Sequence, residues 1–151
     1  MLSIDTNILL YAVCNNSPHN AAARAWLDSL AEDSSVVISE FILGELYRLL
    51  RNQAVIRDPF TAPHAVRIIE GYRNHPCWRV AGPPLNNRAV HDAIWRVVAN
   101  DGFAFRRFYD VRAAFFLRAV GVTRLATANV KDFQGLGFAR VWNPLSPDSA
   151  R

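Results

Sequence analysis

Lysine is almost missing from this chain: Lys131 is the only one, and the other positive side chains are arginines. A guanidinium presents a planar fork that matches phosphate through two bonds at once, which an ammonium does not. With 17 basic residues against 13 acids, the formal charge is +4. One reading of that excess is an acidic partner, either nucleic acid or an acidic protein segment. The other is base composition of the genome, which trades lysine for arginine without function. Cysteine is scarce as well. Cys14 and Cys77 sit far apart, with no CxxC and no histidine pair at ligand spacing. That pattern favours reduced thiols in a cytoplasmic protein over a disulfide or a zinc site. No apolar run approaches the roughly 18 residues that span a membrane. No basic stretch leads into an apolar one at the start, so no secretory signal is expected. A G-x-x-x-x-G-K-[ST] loop is absent, which argues against a nucleoside triphosphate site. So is a G-x-S-x-G elbow, which argues against an α/β-hydrolase. The histidines, His19, His64, His75 and His91, are scattered and read as surface or helix-end residues.

What is present fits one domain, placed at residues 1–145, with a short tail at 146–151. Half the residues are hydrophobic, enough for a packed core and too many for a disordered chain. Residues 1–4 read as a strand. Ser17-Pro18 is expected to open a helix that buries Ala22, Trp26, Leu27 and Leu30. Residues 36–38 form a second strand, and Ser39 caps a helix with Ile42, Leu46, Leu49 and Leu50 on one face. Thr61 caps a third helix, with Val66 and Ile69 inward. Residues 78–81 make a strand. Residues 87–101 make a helix that turns Val90, Ala93, Ile94, Val97 and Val98 inward and stops at Gly102. Residues 103–109 read as a loop, Asp110 opens a helix ending at Gly121, and strands follow at 125–127 and 139–142. Strand–helix alternation of this kind predicts an α/β fold with a mostly parallel sheet. In such sheets ligands gather beyond the carboxyl ends of the strands. Asp5 follows the first strand and Asn129 and Asp132 follow a late one, so all three belong to one edge.

The acids are the informative residues. Asp5 begins the triplet Asp5-Thr6-Asn7, where a turn would explain it alone. Glu45 interrupts an apolar helix face, at its border, although pairing with Arg48 or Arg51 on the surface would also place it there. Glu40 is its rival at the head of the same helix, where the helix dipole favours an acid. Asp110 has that same dipole explanation. Taken together the three suggest a shared site. The chemistry that fits is metal-assisted phosphodiester hydrolysis, because magnesium takes few carboxylates, keeps waters and accepts phosphate oxygens. Asp5 and Asp110 would be direct ligands, while Glu45 would bind a second ion or orient the attacking water. Thr6, Asn7, Thr127 and Asn129 would supply hydrogen bonds that hold the carboxylates. Arg106 and Arg107, interleaved with Phe103, Phe105, Phe108 and Tyr109, could grip a phosphate backbone and stack bases, as could Arg112. The same aromatics could equally pack beneath the loop or at a subunit interface.

In order, Asp5-Thr6-Asn7, Glu45-Leu46-Tyr47-Arg48, Asp110-x-Arg112-x-Ala114 and Thr127-Ala128-Asn129-Val130-Lys131-Asp132-Phe133 resemble the PIN domain. The resemblance is to the VapC-type toxins of bacterial toxin–antitoxin pairs, and it covers the whole chain through Val141-Trp142-Asn143-Pro144. It implies a three-layer α/β/α sandwich around a central parallel sheet. It implies an endoribonuclease dependent on Mg²⁺ or Mn²⁺, cutting transfer or ribosomal RNA and so arresting translation and growth. Carried over by position, Asp5, Glu45 and Asp110 are the acidic metal-site residues. Asn129 stands at the fourth acidic position, and Asp132, three residues on, is a further member of the site. The resemblance also implies a homodimer and a small VapB-type antitoxin whose C-terminal segment covers the acidic pocket. The competing expectation is a non-catalytic PIN-like module that binds RNA or protein through its arginine-rich loop.

Overall fold

Leu2–Ile4 forms the first strand, β1, and all three of its residues are buried, as a strand covered by helices on both faces must be. The computed structural model describes residues 1–146. Four more strands follow: β2 (Val37–Ser39), β3 (Arg79–Ala81), β4 (Arg124–Ala126) and β5 (Arg140–Trp142). β1 pairs in parallel with β4, placing Ile4 opposite Ala126. β4 pairs in parallel with β5, and β2 with β3. A parallel bridge between Leu2 and Val36 joins the two groups, supported by the Leu2 N–H donating to the Ser35 carbonyl at 3.0 Å. The spatial order is therefore β3-β2-β1-β4-β5. With every pairing parallel, all the carboxyl ends lie along one edge.

Parallel neighbours require crossover connections, and helices supply them. The helices are α1 (Thr6–Val13), α2 (Asn20–Asp28), α3 (Glu40–Leu50), α4 (Ala62–Arg73), α5 (Asn87–Val98), α6 (Phe108–Ala119) and the one-turn α7 (Val130–Phe133). The result is the three-layer α/β/α sandwich the sequence implies. Its main core joins β1, β2 and β4 to α1 and α3 through Ile4, Ile8, Leu9, Ile38, Leu43, Leu46 and Leu125, all essentially without exposure. A smaller apolar cluster of Val90, Ile94, Val111 and Phe116 locks α5 against α6.

Several local expectations need correction. The Ser17 hydroxyl accepts from the His19 N–H in a preceding turn, and α2 begins at Asn20 rather than at Pro18. Ala23, not Ala22, is buried there, while Leu27 is buried and Trp26 and Leu30 pack against the core as expected. Val66 faces solvent and Ala65 takes the inward place in α4. Val97 is likewise exposed, and α5 stops at Val98, short of Gly102. α6 starts at Phe108, so Asp110 sits in its first turn rather than at its head, preceded by a 3₁₀ turn at Phe105–Arg107. α1 and α7 were not expected as helices. The tail expected from residue 146 lies, from 147 onward, outside the described residues.

Ser39 closes β2 and caps α3, its hydroxyl accepting from the Ile42 N–H at 3.3 Å. α3 is the helix that carries Glu45. Replacing Ser39 with Ala should lower stability by about 1 kcal/mol, read from urea unfolding midpoints; an unchanged midpoint would rule out the cap.

Candidate active site

The carboxyl edge of the sheet is where the sequence-selected residues meet. At the end of β1, the Asp5 N–H donates to the Ala126 carbonyl at 2.9 Å, extending the β1–β4 ladder by one bond. That bond brings Asp5 beside Thr127, the first residue after β4. The buried Thr127 hydroxyl donates to Asp5 Oδ2 at 2.6 Å. The Asn7 side-chain amide donates to the same oxygen at 2.7 Å and to Thr127 Oγ1 at 3.1 Å. The Thr6 N–H donates to Asp5 Oδ1 at 2.7 Å. Asp5 is thus the N-cap of α1, as the turn explanation expects, and its carboxylate is also the hub of these side-chain hydrogen bonds. Asn7 accepts from the Ala128 N–H at 3.2 Å, and Thr127 Oγ1 accepts from the Asn129 N–H at 3.0 Å. Thr6, Asn7, Thr127 and Asn129 therefore form one hydrogen-bonded mesh around Asp5, with Asn129 entering through its backbone.

Glu45 reaches the mesh from α3. The Thr6 hydroxyl donates to Glu45 Oε2 at 2.9 Å. Its other oxygen lies 3.9 Å from Arg48, in a half-exposed pair. Surface pairing and membership of the edge are both true of it, whereas Arg51 is committed elsewhere, donating to the Phe60 carbonyl. Glu40 lines the same pocket, but its carboxylate is engaged by Arg73 at 3.0 Å.

The electrostatics link these acids to Asp110 and Asp132. Burial pushes Asp5 up to about 6; the Thr127 and Thr6 hydrogen bonds oppose the rise, and the charges of Glu45 and Asp110 add to it. Burial also pushes Asp110 up to about 6, with Asp132 and then Glu45 adding to it and Arg107 opposing. Arg107 donates to the Asp132 carbonyl at 3.0 Å, tying α7 to the start of α6. Its Nε is buried and has no partner among the described residues. Arg106 is exposed over the Phe105 ring. Arg112 lines a pocket of about 560 Å³ shared with Asp5, Phe41, Glu45, Tyr109 and Asp110. Phe41 carries no chemical signal in the sequence; only its contact with Arg112, 4.7 Å from ring to guanidinium, reveals it. Among the described residues, no three His, Cys, Asp or Glu side chains stand ready-made at ion-holding separation.

The family pattern described as the PIN domain matches residues 2–71. Ribonuclease VapC24 of Mycobacterium tuberculosis, in strains CDC 1551/Oshkosh and ATCC 25618/H37Rv, is 40% identical over 148 residues. The match spans 98% of this chain and 99% of the relative. This chain belongs to the VapC family of PIN-domain proteins. Solved VapC structures have the same fold. VapC20 of Mycobacterium tuberculosis, titled a sarcin–ricin loop cleaving toxin, superposes with a TM-score of 0.66 at 18% identity, over 91% of this chain and 96% of its own. VapBC2 of Rickettsia felis, solved with a DNA fragment from its promoter, gives 0.66 at 18% identity, over 94% and 97%.

Two measurements probe this VapC-family pocket. Thr127→Val keeps the shape but strands the donors of Asn7 and Asn129 and removes one from Asp5. It should cost about 1–3 kcal/mol, whereas Thr127→Ser should cost much less; equal losses in the two would disprove the hydroxyl's role. For Asp110, the folded pKa of about 6 lies above the ordinary 3.8. Between those values the native carboxyl holds a proton that the unfolded one has released. Stability without metal therefore falls as pH rises through this window and stays low above it. In EDTA, Asp110→Asn should raise stability at pH 7.5 by about 1 kcal/mol, a figure reduced for partial solvent screening. The gain should shrink towards pH 4; a gain independent of pH would contradict the crowding of these acids.

Proposed function

We propose that this protein is the toxin of a toxin–antitoxin pair, an endoribonuclease that hydrolyses RNA phosphodiester bonds with Mg²⁺ or Mn²⁺. The observation that carries the activity is the full-length identity to a ribonuclease. The gathering of acids at the sheet edge supports a site for that activity there. The donor set suits a hard divalent ion: carboxylate oxygens, with Arg107 the one cation opposing the rise at Asp110 and none opposing it at Asp5. Magnesium binds through one or two carboxylates and fills its remaining positions with water and phosphate oxygen. Three acids at ligand distance from one point are therefore not required. Asp5 and Asp110 would hold the ion, flanked by Glu45 and Asp132. When bound, such an ion lowers the pKa of its water and neutralises charge building on the phosphate.

The chain's own residues do the rest. Three hydrogen bonds fix the Asp5 carboxylate before anything binds. Thr6 fixes Glu45, so that this carboxylate orients the attacking water. Asp132 supplies, one turn later, the negative charge that Asn129 lacks. Arg106, Arg107 and Arg112 give the pocket's surroundings positive charge for an RNA backbone, transfer or ribosomal RNA being the expected class. The same reading includes a small VapB-type antitoxin as partner, a homodimer, and a cytoplasmic setting. Among the described residues, no helix is long and apolar enough to cross a membrane.

Purified protein should cleave RNA with Mg²⁺ or Mn²⁺ and stop when EDTA is added. Folded Asp5→Asn and Asp110→Asn variants should each lose cleavage and the growth arrest seen on expression. Cleavage undiminished in either variant, or persisting in EDTA, overturns the proposal. RNA binding with no cleavage under either metal would point instead to a binding module.

A further inference from the structure

Among the described residues, Arg112 stands in an acidic pocket without an ion pair. Glu40, Glu45 and Asp110 line the same pocket, yet Glu40 is held by Arg73 and Glu45 lies nearest Arg48. Asp110 is two residues away on α6, a spacing at which side chains do not face each other. The Arg112 guanidinium instead lies 4.7 Å from the Phe41 ring centroid and 5.2 Å from that of Tyr109. Among the described residues it makes no hydrogen bond or ion pair, so its N–H fork is spent on no carboxylate, carbonyl or hydroxyl. Stacking fixes the plane of an arginine while leaving its edge donors available, the state in which it takes phosphate through two bonds.

Tyr109 is 62% exposed at the pocket lip. Its ring meets Phe108 edge-on at 5.5 Å, and Phe108 stacks on the half-exposed Trp95 at 5.5 Å. An aromatic track thus leads from the lip onto α5. Exposed rings beside an uncommitted arginine match nucleotides whose bases are unpaired, since a base in a duplex offers no free face. An acidic peptide would satisfy the fork but would leave the rings without a partner.

We propose that Phe41, Arg112 and Tyr109 form a nucleotide clip: the Arg112 fork takes a phosphate of single-stranded RNA, and the Tyr109 ring stacks on an adjoining unpaired base. Phe41 is a positioning residue that holds the guanidinium flat. The clip rests on the RNA-cleaving reading above and specifies that the cleaved segment is single-stranded.

The probe is a short fluorescein-labelled single strand of RNA, its binding followed by anisotropy with Mg²⁺ in an Asp110→Asn background. Tyr109→Ala and Arg112→Ala should each weaken binding by about five- to a hundredfold, the range of one base–aromatic stack. Tyr109→Phe should bind normally, and Arg112→Lys should bind nearly as weakly as the alanine variant. The same strand annealed to its complement should bind more weakly than alone. In the otherwise unaltered protein, Tyr109→Ala should raise KM and leave kcat in place. Melting curves check folding, and the Phe and Lys variants retain the packing the alanine variants remove. Undiminished binding in both alanine variants, or equal affinity for the duplex, overturns the clip. Binding that depends on these residues without cleavage under either metal would sink the ribonuclease reading and leave the clip standing. Cleavage with KM indifferent to both residues would do the reverse.

Discussion

The pocket depends on the parallel pairing of β1 with β4. Residues 5 and 127 are far apart in the chain, and only the register that sets Ile4 against Ala126 brings them together. The Asp5 N–H extends that ladder by one bond, and the 2.6 Å hydrogen bond from the Thr127 hydroxyl completes the join. A one-residue slip would send Asp5 to the opposite face of the sheet. Asn7, Ala128 and Asn129 close around the same bond, so the fold's central ladder and the mesh that holds Asp5 are continuous.

Against this order stands a crowding of like charge. Asp5 and Asp110 are taken partly out of water and placed near Glu45 and Asp132, which makes their ionised forms costly. The hydrogen bonds to Asp5 recover only part of that cost, and Arg107 recovers part at Asp110. Arg107 also ties Asp132 to the first turn of α6, so one guanidinium serves both the geometry and the charge of this corner. A cation arriving among these oxygens would relieve the strain, which is why sites of this kind commonly bind metal at the expense of apo stability.

The legible parts of the molecule were those governed by local rules. Ser39 reads as a cap and is one. Strand–helix alternation gives a parallel sheet, and the carboxyl-end rule puts Asp5 and Asn129 on one edge. Glu45 was ambiguous because a residue at the border of a helix face satisfies both neighbours, and it does pair with Arg48 while accepting from Thr6. Ala22 and Val66 were each misplaced by one position: neighbours on a helix differ by about 100°, and which of them faces inward is set by the surface the helix meets. α7 is too short for periodicity to register. Phe41 and the lip position of Tyr109 escaped for a different reason: their importance is a relation to Arg112, and no spacing along the chain encodes it.

By itself, then, the sequence determined which residues could carry chemistry: the three acids, the polar residues beside them, and an arginine supply suited to phosphate. Those are properties of side chains and of periods along a strand or helix. Tertiary structure decided which of them are engaged and which are left available. Burial, which raises Asp5 and Asp110 to about 6, depends on what the sheet and α3 place above each carboxylate. Glu40 is committed to Arg73 because α3 packs on α4. Among the described residues Arg112 has no ionic partner, because its place on α6 sets it against two rings. Whether an ionic group is paired depends on distance and dielectric, and neither exists until the chain has folded.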